Sequence, residues 1–183
     1  RRILKTYPGS SATYSLQRDR ARATVLGKPF EICSLGSLPE IREPVLLDLD
    51  VDFLVYPRVC YSRMEECPPL PCCWPEELLE RIRTRKLFWD IATIAYSVEG
   101  GYTPLRWKHL GAELALRLGP AGDAASDQCL RASACLRAGA EAAHRGDLDL
   151  AESEYREAAG FWPDSAAPWL HLTLLLQERG RLA

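Results

Sequence analysis

Asp48, Asp50 and Asp52 alternate with Leu47, Leu49, Val51 and Phe53 in the stretch Val45–Phe53. Side chains alternate between the faces of a β-strand. This spacing therefore predicts one aliphatic and aromatic face, and one face carrying Leu46 and three carboxylates. Carboxylates at i and i+2 sit roughly 6–7 Å apart and repel, and strands disfavour Asp. A buried carboxylate must be protonated, paired or bound to a cation. A divalent metal, or a pair of metals, at the carboxyl end of the strand is the chemistry that rationalises the row. The other reading is an edge strand with a solvated acidic face. The apolar opposite face, and Leu46 at the head of the acidic one, favour a central strand.

The elements around this row follow from punctuation and periodicity. Residues 1–29 are polar and irregular, with a turn at Tyr7–Ser11 and a short helix expected around Leu16–Leu26. Phe30–Leu35 reads as a strand and Gly36–Pro44 as a loop. Residues 56–75 form a long connection containing Cys60, Cys67, Cys72 and Cys73. Zinc has to be considered there, but the spacing is not a paired C-x-x-C arrangement and no His is near, so unpaired thiols are the expectation. Trp74-Pro75-Glu76-Glu77 opens a helix running to about Phe88, with Pro early and acids in the first turn. Trp89–Tyr96 reads as a second buried strand. Strand, helix and strand make a βαβ unit and predict a parallel sheet. Ser97–Pro104 is then a loop at the carboxyl end of that strand, where α/β sheets place their sites. Gly100-Gly101 lets backbone approach a ligand, and Glu99 offers a fourth carboxylate in a catalytic role. A helix over Leu105–Leu118 is expected, with Thr103 as N-cap and Pro104 first.

The residues Asp48-Leu49-Asp50-Val51-Asp52-Phe53, followed by Thr93-Ile94-Ala95-Tyr96-Ser97-Val98-Glu99-Gly100-Gly101-Tyr102-Thr103-Pro104, resemble the arginase/deacetylase superfamily, in particular an uncharacterised branch of it. The resemblance covers roughly residues 30–118. It implies a three-layer α/β/α fold, of which this chain holds part. It also implies a metal pair, manganese or zinc, whose bound hydroxide attacks a C–N bond of an amide or guanidine. Asp50 and Asp52 match the metal-binding Asp-x-Asp pair, and Asp48 is an additional acid. Gly100, Gly101 and Thr103 fall in the substrate loop. The superfamily's other ligands are His and Asp nearer the N-terminus, whereas this chain has no His before His109 and only Asp19 within residues 1–44. Two expectations stay open: a fragment of a longer enzyme, or a degenerated site. In either case the chain alone is expected to be inactive. His109 is expected to be a surface or packing residue of its helix.

After Gly122 the composition turns Ala-rich and helical. Gly146 recurs as Gly180, 34 residues on, and Cys135 falls in register with Trp169. Gly139, Ala151, Tyr155, Ala158 and Pro163 occupy positions where small, aromatic and helix-ending residues let two helices cross. These residues resemble a tetratricopeptide repeat followed by the first helix of the next, with helices at about 128–144, 148–161 and 166–179. The alternative is an ordinary helical hairpin. His144 and His171 are expected on the surface or in the seam. The likeness implies a protein or peptide partner.

Composition narrows the field. With 47% hydrophobic and 26% charged residues and a net charge of -2, a globular protein is expected, with no nucleic-acid surface and no apolar run able to cross a bilayer. The basic clusters at 18–22 and 81–86 carry nearby acids and read as solvated faces. No leader pattern is seen, and seven cysteines do not suit a secreted disulfide framework, so the cytoplasm is expected. The expected organisation is an α/β domain over 1–122 and an all-α helical repeat over 123–183. Three functions follow: a metal-dependent hydrolase half-site with an interaction module, a non-catalytic adaptor, or a phosphotransferase or phosphatase using the acidic strand. The last is the weakest, since no lysine or Ser/Thr-bearing strand follows in the arrangement that chemistry needs.

Overall fold

The computed structural model describes residues 14–16, 20–25, 27–55, 69–119 and 123–181. The expected turn at 7–11, together with Cys60 and Cys67, lies outside them. The fold is mixed α/β with small sheets. Packing groups the chain into two compact units, Arg1–Pro44 with Arg81–Phe88, and Val45–Glu80 with Trp89–Ala183. The composition change at 122–123 falls inside the second.

The first unit holds an antiparallel meander of β1 (Tyr14–Leu16), β2 (Arg20–Val25) and β3 (Lys28–Cys33). Among the described residues of the helix expected at 16–26, Leu16 and Arg20–Val25 are strand instead. Arg20 and Arg22 alternate with Ala21 and Ala23, and both arginines reach Glu31 on β3, at 3.0 and 2.7 Å. Cross-strand pairing has outweighed local helix preference.

The second unit contains a parallel pair, β4 (Val45–Asp50) with β5 (Trp89–Ala95), in which Asp48 faces Thr93 and Asp50 faces Ala95. The acidic strand stops three residues short of its expected end. The chain turns instead into a five-residue helix, α1 (Val51–Val55), which buries Val51, Leu54 and Val55 and leaves Phe53 exposed. The backbone amides of Phe53 and of Asp52 itself favour the Asp52 carboxylate, at a helix start where N–H groups are otherwise free. Among the described residues β4 pairs with β5 alone, and its acidic face is exposed rather than buried at the centre of a sheet.

α2 (Pro75–Arg83) has the expected Pro and Glu76, Glu77 at its start. The helix expected from Leu105 begins with a 3-10 turn over Leu105–Trp107, and α3 runs His109–Leu118. Thr103 is 2% exposed, and its hydroxyl caps no helix among the described residues. Then come α4 (Ala124–His144), α5 (Leu148–Phe161) and α6 (Ala166–Glu178), opened by Asp123, Asp147 and Ser165, whose side chains accept from Ser126, Leu150 and Ala167 amides. Their shared core is Ala132, Leu136, Ala142, Ala151, Tyr155, Ala158, Leu172 and Leu175.

The ends of α4 and α6 repeat one motif at the 34-residue spacing. Gly146 and Gly180 both take positive φ, +82° and +64°. The Gly146 amide donates to Ala143 O and the Asp147 amide to Ala142 O; the Gly180 amide donates to Gln177 O and the Arg181 amide to Leu176 O, all at 2.9–3.0 Å. Each is a Schellman closure, in which a left-handed glycine turns the last carbonyls inward. No described helix is long and apolar enough to cross a membrane.

Candidate functional site

At the carboxyl end of the parallel pair, Thr93 Oγ1 donates to Asp48 Oδ1 at 2.6 Å, and Ser97 Oγ donates to Asp50 Oδ1 at 3.2 Å. Asp48 and Asp50 are exposed, and Asp52 is half-buried on α1. Burial raises the Asp52 carboxyl above its ordinary value, and the neighbouring Asp50 charge raises it further. The loop after β5 folds onto Ser97, whose carbonyl accepts from the Tyr102 amide at 3.1 Å and the Thr103 amide at 3.0 Å. Gly101, at φ +76°, closes the turn on Val98 O. Glu99 and Gly100 are exposed on that turn, while Thr103 Oγ1 is buried with no hydrogen-bond partner among the described residues.

This arrangement brings Asp48 and Asp50 to one place. It does not gather the row into a metal site: among the described residues, Asp48, Asp50 and Asp52 do not form a set of three ligand atoms within 4.8 Å of one another. Asp48 and Asp50 each accept one hydroxyl hydrogen and keep carboxylate lone pairs for a further partner, but the three acids do not converge on one point.

The three ligand atoms that do meet that distance belong to Cys135, Glu154 and Glu157, across α4 and α5. The Cys135 thiol is pushed up to about 11, by burial first and then by the charges of Glu157 and Glu154. The thiol is therefore protonated at neutral pH in the metal-free chain.

A third locus is built where α4 and α6 meet the 3-10 turn. A cavity of about 300 Å³ is lined by residues from that turn and from three helices. Its polar wall includes Arg106, Trp107, His144, Tyr155 and His171, with Glu178 as the lining carboxylate; Leu174 and Leu175 supply an apolar wall. Trp107 is 1% exposed, and its Nε1 has no hydrogen-bond partner among the described residues. An indole N–H is only a donor, so it lacks an acceptor that a bound group can provide. The Tyr155 phenol is pushed up to about 12 by burial, with Arg106 opposing and Glu178 adding.

Behind this cavity two imidazoles share one acceptor. His109 Nδ1 lies 2.9 Å and His171 Nε2 3.0 Å from Arg106 O, with ring centroids 5.4 Å apart. Both histidines are 5% exposed. His109, expected on its helix as a surface or packing residue, is thus a buried packing residue, and His171 lies in the seam. The partnership with His171 had no local signal, because His171 lies 65 residues from Arg106 in sequence. A smaller cleft of about 170 Å³ is fenced by Arg117 with Glu113 at 2.7 Å, and by Arg137 with Glu77 at 3.1 Å and Glu141 at 3.0 Å. These charges satisfy one another.

No protein-family model, curated protein or solved structure matches the chain.

Proposed function

We propose that the chain acts as an interaction module, in which a tetratricopeptide-like pair of helices and the following helix present the Arg106–Trp107 cavity to a segment of a partner protein. The observation that carries this reading is the buried Trp107 indole N–H, without an acceptor among the described residues, in the lining of a cavity that Leu174 and Leu175 also line. A peptide fits such a lining with an apolar side chain toward Leu174 and Leu175 and a carbonyl toward Trp107. The matched Schellman closures at Gly146 and Gly180 support the repeat reading. The test is selection of a displayed random-peptide library against the full chain. Peptides that share an apolar anchor, and that lose binding to a Leu174→Asp variant with an unchanged far-ultraviolet spectrum, are expected. Leu174 is 39% exposed, so the substitution leaves the core intact. Selected peptides that bind the variant equally well would dismiss the cavity.

A second reading, part of a metal-dependent hydrolase, is favoured by one observation: hydroxyls orient both Asp48 and Asp50 at the ends of parallel strands. Calorimetric titration with manganese, and separately with zinc, discriminates. Binding lost in Asp50→Asn/Asp52→Asn supports the hydrolase reading, and no heat for either ion leaves the interaction module.

A further inference from the structure

We propose that His109 and His171 form a proton-sensitive latch, which fastens α6 to the Arg106–Trp107 turn while both rings are neutral and releases it when either takes up a proton. A carbonyl oxygen only accepts, so the nitrogen facing it carries hydrogen in each ring: His109 is the Nδ1–H tautomer and His171 the Nε2–H tautomer. The two donors fill both lone pairs of Arg106 O, and each ring has spent its only N–H. A proton arriving on the other nitrogen places a full charge on a side chain that is only 5% exposed to water. Aromatic rings pack against the pair: the Trp107 ring lies 5.3 Å and the Tyr155 ring 5.1 Å from His171, and Trp107 lies 6.0 Å from His109.

The charged and titratable groups around the pair do not rescue the imidazolium. Arg106, on the turn, is itself positive. Tyr155, on α5, is neutral well above physiological pH. His144 on α4 and Glu178 on α6 line the adjoining cavity, and both are exposed to water. Each imidazolium also repels the other ring's. Burial pushes His109 down to about 4, and burial with the neighbouring His109 charge pushes His171 down to about 3.

The direction of the pH effect follows. In the opened chain both rings titrate at about 6.5. The latch is fully closed above that value and weakens as pH falls from it toward the depressed folded values. Each histidine takes up a proton on opening, so the opening constant rises up to about tenfold per pH unit for one ring and about a hundredfold for both. This is independent of the partner-binding reading, because opening is read without a partner.

The experiment is amide hydrogen exchange on the full chain between about pH 7 and about pH 5, expressed as protection factors for α6 relative to α4. Glu152, which holds Arg179 and Arg181 beyond α6 at 3.1 and 2.6 Å, has its carboxyl lowered and so stays charged throughout that window. In the native chain, α6 protection is expected to fall on acidification by about tenfold or more per pH unit while α4 holds. In His109→Gln/His171→Gln, whose amides donate but do not titrate, that α6-specific slope should vanish. An equal slope in both proteins, or none in the native chain, overturns the latch. Should the double variant fail to fold, nitrogen-15 spectra of the native imidazoles decide. Neutral rings of the two assigned tautomers at about pH 6 support it, and a protonated ring there overturns it.

Discussion

Glu113 is an acid placed on α3 with 6% of its surface exposed. Burial raises its carboxyl above the ordinary value, and Arg117, one turn on at 2.7 Å, opposes that rise. Removing the guanidinium strands a buried carboxylate. Arg117→Met is therefore expected to cost about 2 kcal/mol at neutral pH, with Arg137 left to offset part of the loss. A group whose folded pKa is raised contributes stability below its unfolded value and loses it as pH rises through the folded one. The deficit of Arg117→Met should thus shrink as pH falls through the raised folded value toward the ordinary glutamate value. Urea unfolding of the two proteins across that range checks it, and a deficit independent of pH would refute the assignment. Much at this scale was beyond sequence reading for a physical reason. Asp48 and Asp50 were legible as a row on one strand face, but a central strand was expected and the row is exposed; the Thr93 partner of Asp48 follows from the parallel register. Asp52 was not, because the alternation of Val51, Asp52 and Phe53 is the same whether the chain stays extended or turns into α1. Thr103 has the type and spacing of a cap, yet its hydroxyl is buried and bonds to nothing among the described residues.

The elements are held by close approach as much as by burial. Gly139 on α4 lies under the Tyr155 ring of α5: a Cβ at this position would come 2.5 Å from Cε1. Tyr155 is 4% exposed and has little room to yield. Alanine normally stabilises a helix by about 1 kcal/mol over glycine. Here overpacking should dominate, and Gly139→Ala is expected to destabilise the chain by about 1–3 kcal/mol. Adding Tyr155→Leu should recover part of the loss, a coupling that thermal or urea unfolding of the four proteins measures; strict additivity would mean that the ring and the glycine do not interact. The crossing was legible in sequence because it needs a small residue opposite an aromatic one. α5 was legible to its ends, since Asp147 and the break before Pro163 mark them. β1 and β2 were not. The stretch 16–26 has no strong period of either kind, and its strand state depends on Glu31, which only the folded meander brings to Arg20 and Arg22.

Across the whole chain, the three C-terminal helices carry a core drawn from α4, α5 and α6. Yet α6 also depends on a carbonyl outside them, at Arg106. A polypeptide of residues 123–183 should accordingly keep its α4–α5 pair, because the 34-residue closure at Gly146, the Asp147 cap and the Gly139–Tyr155 contact all lie within it. Its α6 should loosen, since His171 loses its acceptor together with the Trp107 and His109 rings. Stripped of that enclosure, the His171 imidazole regains water and loses the repulsion of His109, so its pKa should climb from about 3 toward the ordinary value near 6.5. Proton titration of the His171 ring by NMR in this polypeptide and in the full chain measures the difference directly. A ring that titrates equally low in both would mean that α5 and α6 alone bury it, and that the Arg106 turn contributes nothing to holding it neutral. A ring that titrates normally in the polypeptide and low in the full chain means that α6 acquires its pH dependence from the segment before α4.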